Sequence, residues 1–196
     1  MGIRPPETEE PVRRSAPRLL AAALAAGALL TAAPLPATAG PAAPPPAAAP
    51  ADRVTATVAL HRLYSGAGTD HFYTANWDEA VNAFNNLGYR YEGVAGKIMP
   101  TAHAGTVALH RLYSPGQSDH FYTTNWDEAV NAFNNLGYRY EGVTGYVWTS
   151  GRSPLYRLYS GAAGDHFYTT NWDEAVNAFN NLGYTYEGVA GHVDPA

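Results

Sequence analysis

The 196-residue chain contains no cysteine. Disulfides, thiol nucleophiles and thiolate metal ligands are therefore excluded, and the folded part must hold together by packing alone. Basic charge is also short: 12 Lys and Arg stand against 17 Asp and Glu, a formal net charge of −5. A nucleic-acid partner wants a basic face, so that class is disfavoured. The longest apolar run, Leu19 to Ala33, ends at Pro34 and Pro36 and is too short for a spanning helix, which needs about 20 residues. There is no nucleophile elbow, phosphate-cradling glycine loop, zinc-protease helix or EF-hand.

What is present divides at about residue 57. Arg4, Arg13, Arg14 and Arg18 precede the apolar run, and Ala37-Thr38-Ala39 follows it as a small-x-small site. That order reads as a secretory leader over residues 1–39 and predicts an extracellular protein, free of the membrane after cleavage. Arg13-Arg14 are a weak twin-arginine signal, which leaves the export route open. Residues 40–57 are rich in Pro and Ala and read as a semi-rigid linker. All 14 Tyr, 6 Phe and 4 Trp lie beyond it, which places the core in residues 58–196.

That region is a threefold repeat. Asp70–Gly96 recurs at Asp119–Gly145 and Asp165–Gly191 with differences at three positions only: Ala75/Thr124/Thr170, Arg90/Arg139/Thr185 and Ala95/Thr144/Ala190. Leu60–Ser65, Leu109–Ser114 and Leu155–Ser160 precede the blocks across four-residue loops, giving repeats of about 58–100, 107–149 and 153–194. Two short aromatic runs joined by a Gly-bearing loop predict a β-hairpin. Asn76, with Glu79 three residues on, predicts a helix N-cap with a capping box. Trp77, Ala80, Val81, Phe84 and Leu87 follow helical spacing and predict a buried stripe that includes Trp77 and Phe84. Gly88 supplies the stop, and a last strand runs from Tyr89 to about Ile98 with Gly93 and Gly96 as bulges or turns. The fold class expected is α+β: three β-β-α-β repeats in a closed, propeller-like pseudo-threefold array, with a decorated β-trefoil as the alternative.

Several side chains bear on chemistry. His71, His120 and His166 could meet at the axis as a metal site, but a structural or ligand-contacting role is favoured, so no metal and no cofactor are expected. Arg62, Arg111 and Arg157 are expected to pair with Asp70, Asp119 and Asp165 or with Glu92, Glu141 and Glu187. Tyr64, Tyr73, Tyr89 and Tyr91, with their copies, cannot all enter one core, and tyrosine suits a surface that is part apolar and part wet. Combined with nearby polar groups, this nominates Asp70, His71, Tyr73 and Asn76 as ligand contacts. Their copies are Asp119, His120, Tyr122, Asn125, Asp165, His166, Tyr168 and Asn171. The rival expectation is that these tyrosines tile the core.

The succession R-L-Y-S, D-H-F-Y-T, L-G-Y and Y-E-G-V-x-G resembles a family of extracellular, tyrosine-rich repeats of unknown function over about residues 58–193. Such repeats occur in bacteria and fungi, often in threes, beside secreted hydrolases and cell-wall enzymes. The resemblance implies an accessory, glycan-directed role. The reading that follows is a monomeric, secreted, lectin-like module, non-catalytic, binding a polysaccharide or cell-wall glycan multivalently. A small hydrolase with an axial His/Asp cluster and a protein-interaction or inhibitory domain are the alternatives.

Overall fold

A computed structural model describes residues 56–196. The leader 1–39 and all but the last two residues of the linker lie outside the described residues. Three units follow one another. The first is β1 (Val58–Ser65), β2 (Asp70–Thr74), α1 (Trp77–Asn86) and β3 (Arg90–Ile98). The second is β4 (Thr106–Ser114), β5 (Asp119–Thr123), α2 (Trp126–Asn135) and β6 (Arg139–Trp148). The third is β7 (Ser153–Ser160), β8 (Asp165–Thr169), α3 (Trp172–Asn181) and β9 (Thr185–Val193). The β-β-α-β unit expected from the pattern is therefore present three times.

In each unit the first strand lies between the other two, antiparallel to both, in the orders β2-β1-β3, β5-β4-β6 and β8-β7-β9. Short bridges join the units into a ring: Met99 with Tyr146, Trp148 with His192, and Lys97 with Asp194. The array is closed and pseudo-threefold. Register shifts opposite Leu60/His61 and Arg62/Leu63 mark bulges in β3, where Gly93 and Gly96 were expected to allow them.

The core reflects the ring. Leu60, Tyr73 and Ile98 pack on the axis with their copies Leu109, Tyr122, Val147, Leu155, Tyr168 and Val193. Close approach there requires glycine: a Cβ on Gly96 would stand 2.4 Å from Val193 Cγ2, and Gly145 and Gly191 meet Ile98 and Val147 in the same way. A satellite core of Leu63, Phe72, Ala80 and Ala83 lies under α1 and is repeated under α2 and α3. Asn76 caps α1, its Oδ1 accepting from Asp78 N and Glu79 N, and Gly88 beyond the helix has φ +77°. The capping box itself does not close. Asn76 N donates to Thr74 Oγ1 instead, and the Thr74 hydroxyl donates to Glu79.

The buried stripe expected on the helix is corrected. α1 buries Ala80 and Ala83, whereas Trp77, Phe84 and Leu87 are exposed. Small side chains let the helix lie close on the sheet, and the bulky residues of the same turns are left on the outside. No helix among the described residues is long and apolar enough to cross a membrane.

Candidate functional site

The twelve residues nominated from sequence separate into three environments. Tyr73, Tyr122 and Tyr168 are 1% exposed and meet edge-to-face, 5.4–5.5 Å apart, on the axis. Each hydroxyl serves both backbone groups of one neighbouring tyrosine. Tyr73 Oη accepts from Tyr168 N at 2.9 Å and donates to Tyr168 O at 2.7 Å; Tyr122 does the same for Tyr73, and Tyr168 for Tyr122. β2, β5 and β8 are edge strands, and this ring of hydroxyls satisfies edge groups that would otherwise be buried unpaired. Burial pushes these phenols well above their ordinary pKa, so they stay protonated donors. A surface ligand has no access to them, and the expectation of tyrosine contacts at these three positions gives way to the core role.

Asp70, Asp119 and Asp165 are also fully buried and bring carboxylate oxygens within 4.8 Å of one another, the one three-residue group with metal-binding proximity among the described residues. Of the two arginine pairings expected, that with Asp70, Asp119 and Asp165 is absent and that with Glu92, Glu141 and Glu187 is present. Each aspartate instead accepts from the next unit's histidine. Asp70 takes His120 N at 2.8 Å and His120 Nδ1 at 2.6 Å, together with the hydroxyl of its own unit's Tyr89. Asp119 binds His166 and Tyr138, and Asp165 binds His71 and Tyr184, in the same manner. Burial first, then the adjacent carboxylate, raises the pKa of Tyr89, Tyr138 and Tyr184, which fixes them as donors. The histidines do not converge as a metal triad. Each is spent on a different seam between units.

The arginines complete those seams. Arg111 Nε meets Glu141 of its own unit at 2.8 Å, and its two terminal nitrogens hold Glu79 of the preceding unit at 2.9 and 3.0 Å. Arg157 spans Glu187 and Glu128, and Arg62 spans Glu92 and Glu174. Burial alone would raise the pKa of Glu79, Glu128 and Glu174. The bonds from arginine and threonine outweigh it and hold all three below the ordinary value. A carboxylate kept ionised in this way cannot serve as a general acid near neutral pH. Asn76 and Asn171 are exposed and line clefts of about 410 and 560 Å3 beside the bridges, but their Oδ1 atoms are occupied in capping; Asn125 caps α2 alike.

The outer face carries what the sequence reading missed. Trp77, Trp126 and Trp172 are 55%, 54% and 51% exposed. Each stands edge-to-face against a half-exposed tyrosine of the last strand, with ring centroids 5.7–5.8 Å apart: Tyr91, Tyr140 and Tyr186. Phe84, Phe133 and Phe179, two turns along, are equally open. In the third unit Trp172, Ala175, Val176, Phe179 and Tyr186 line a groove of about 240 Å3. Amides rim the helix, with Asn86 Nδ2 donating to Asn82 Oδ1 at 2.8 Å and the same pair in α2 and α3. Tyr91 sits beside Trp77 because the bulged β3 runs back past the start of α1. Helical spacing, which placed Trp77 in the core, carries no information about that neighbour.

The chain matches a domain of unknown function (DUF5648) over residues 59–194 and belongs to that family. No curated protein and no solved structure matches it.

Proposed function

We propose that this protein is a secreted, non-catalytic, lectin-like module that binds an extracellular polysaccharide or cell-wall glycan through its three outer aromatic grooves. One observation carries the reading: the same half-exposed Trp–Phe–Tyr set recurs on all three units. Exposed aromatic patches repeated at equivalent positions mark contact surfaces. A sugar ring offers C–H bonds on one face and hydroxyls at its edge. Indole and phenol faces suit the first, and a phenol hydroxyl left free, as in Tyr186, suits the second. Linking three weak sites on one rigid body raises avidity on a polymer with no new contact. The acidic balance and the leader-like first 39 residues agree with an extracellular role away from nucleic acid. The molecule acts as a monomer and uses no cofactor in this account.

The test is a glycan array and a panel of insoluble polysaccharides, followed by calorimetry on any hit. Saturable binding at more than one site per chain supports the reading. No retention on any glycan, combined with turnover of a model ester or glycoside, would transfer the protein to the enzyme class.

A further inference from the structure

The Trp–Tyr surfaces of the three units, called grooves after that of the third, differ in one neighbour of the tryptophan. His61 and His110 stand beside the tryptophans of the first two units, with ring centroids 4.9 and 5.0 Å away, and Tyr156 takes that place in the third at 4.9 Å. The substitution changes what the groove tyrosine can do. His61 Nδ1 shares a hydrogen bond with the Tyr91 hydroxyl at 3.1 Å, and His110 Nδ1 with that of Tyr140 at 3.0 Å. Burial lowers the pKa of both imidazoles and favours the neutral ring, so the bond occupies the hydroxyl near neutral pH. Tyr156 has no ring nitrogen to offer. Its ring lies 6.3 Å from that of Tyr186, and the Tyr186 hydroxyl has no protein partner among the described residues. Access is not the difference, because Tyr91, Tyr140 and Tyr186 are 38%, 39% and 39% exposed.

We propose that the grooves are inequivalent: the third is the primary site, where a ring stacks on Trp172 while the Tyr186 hydroxyl bonds a ligand hydroxyl, and the first two bind by stacking alone. This rests on the glycan reading above and narrows its ligand class. None of the five residues lining the third groove is charged, and their polar side-chain groups are the Tyr186 phenol and the Trp172 indole N–H. Charge complementarity therefore selects a neutral, hydroxyl-rich sugar chain over an anionic polymer. One additional hydrogen bond makes the third groove roughly three- to tenfold tighter than the others.

The experiment follows the indole N–H resonances of the full-length chain by NMR, assigned with single Trp→Phe variants. The chain is titrated with cellotetraose and, separately, with tetra-N-acetylchitotetraose. The Trp172 resonance should move at roughly three- to tenfold lower sugar concentration than those of Trp77 and Trp126. Tyr186→Phe should abolish that advantage, whereas Tyr91→Phe should leave the first groove unchanged. His61→Tyr should bring the first groove toward the third, and Tyr156→His should do the reverse. Equal midpoints, or equal losses from Tyr91→Phe and Tyr186→Phe, would overturn the inequivalence while leaving glycan binding standing. Indoles that respond to neither sugar sink the glycan reading, and the inequivalence with it. Shifts that depend on protein concentration alone would assign the grooves to a second copy of the chain and overturn both.

Discussion

Tyr73 and Trp77 lie on either side of one helix cap, yet they are 1% and 55% exposed. The axial tyrosine has its ring packed against two others and its hydroxyl committed to two backbone groups of a neighbouring unit. The outer tryptophan touches His61 and Tyr91 and leaves much of its surface to solvent. Both recur three times, so repetition alone does not distinguish scaffold from site. Hydrogen-bond commitment does: the axial hydroxyls and the seam carboxylates are answered across units, while the Tyr186 hydroxyl on the outer face has no partner among the described residues.

The comparison breaks first at the axis. Tyr73→Phe strips partners from both the N–H and the C=O of Tyr168, two buried backbone groups at about 1–3 kcal/mol each, so a loss of about 2–6 kcal/mol is expected from denaturant midpoints. Changing Tyr73, Tyr122 and Tyr168 together to Phe should remove most of the marginal stability of about 5–15 kcal/mol and prevent folding. A single variant within 0.5 kcal/mol of wild type, on the order of one weak hydrogen bond, would show that the ring is not what closes the array.

The seams come next. Arg111→Met leaves Glu79 and Glu141 facing each other without their shared cation and should cost roughly 1–3 kcal/mol. Acid sharpens this. Glu79, Glu128 and Glu174 have folded pKa values below the ordinary 4.5. Their contribution is full above that pH and is lost as pH falls through the depressed folded values. Wild-type stability should therefore decline on the acid side of pH 4.5, and Arg111→Met should show a shallower decline, measured by chemical unfolding over a pH series. Identical slopes would remove the arginine from the cause.

On the outer face, Trp172→Ala should cost only about 1 kcal/mol, because half of the side chain is already in water, while abolishing binding at the third groove. The smallest effect expected concerns a mismatch between units. Thr124 Oγ1 donates to Ala190 O and Thr170 Oγ1 to Ala95 O, but the seam between the first two units places Ala75 opposite Thr144, whose Oγ1 is buried without a partner. The double variant Ala75→Thr, Thr144→Ala restores the arrangement of the other two seams and should stabilise by about 0.5–1 kcal/mol. No gain in melting temperature would mean that the seam tolerates the orphan hydroxyl at no cost.

The repeat, the β-β-α-β unit, the Asn76 cap and the Gly88 stop were all legible in the chain, because they depend on residues a few positions apart. The pairing of Arg62 with Glu92 of its own unit was one of the two expected and is present, but the cross-unit partners of Asp70, Arg62 and Glu79 were not legible. Each lies in another unit, and three near-identical copies give pattern analysis no means of telling a contact within one copy from a contact between two. Thus Asp70 was offered, beside Glu92, as a partner of the arginine across its own hairpin, while across the seam it binds His120, and Glu79 was expected to close its own cap, while it holds Arg111. Trp77 was misplaced for a related reason. Apolar spacing identifies a helix face, but Ala80 and Ala83 decided which face approaches the sheet. The exposed tryptophans were thus discounted, and the buried tyrosines were entertained as contacts.

The central claim, that the axis holds the ring and the outer face binds, is tested most directly by the triple variant Trp77→Ala, Trp126→Ala, Trp172→Ala. It is compared with wild type for retention on whichever insoluble polysaccharide holds the wild-type protein, with thermal unfolding followed in parallel. The account predicts a protein that still unfolds in one cooperative transition and is no longer retained. A folded triple variant retained as well as wild type would contradict it.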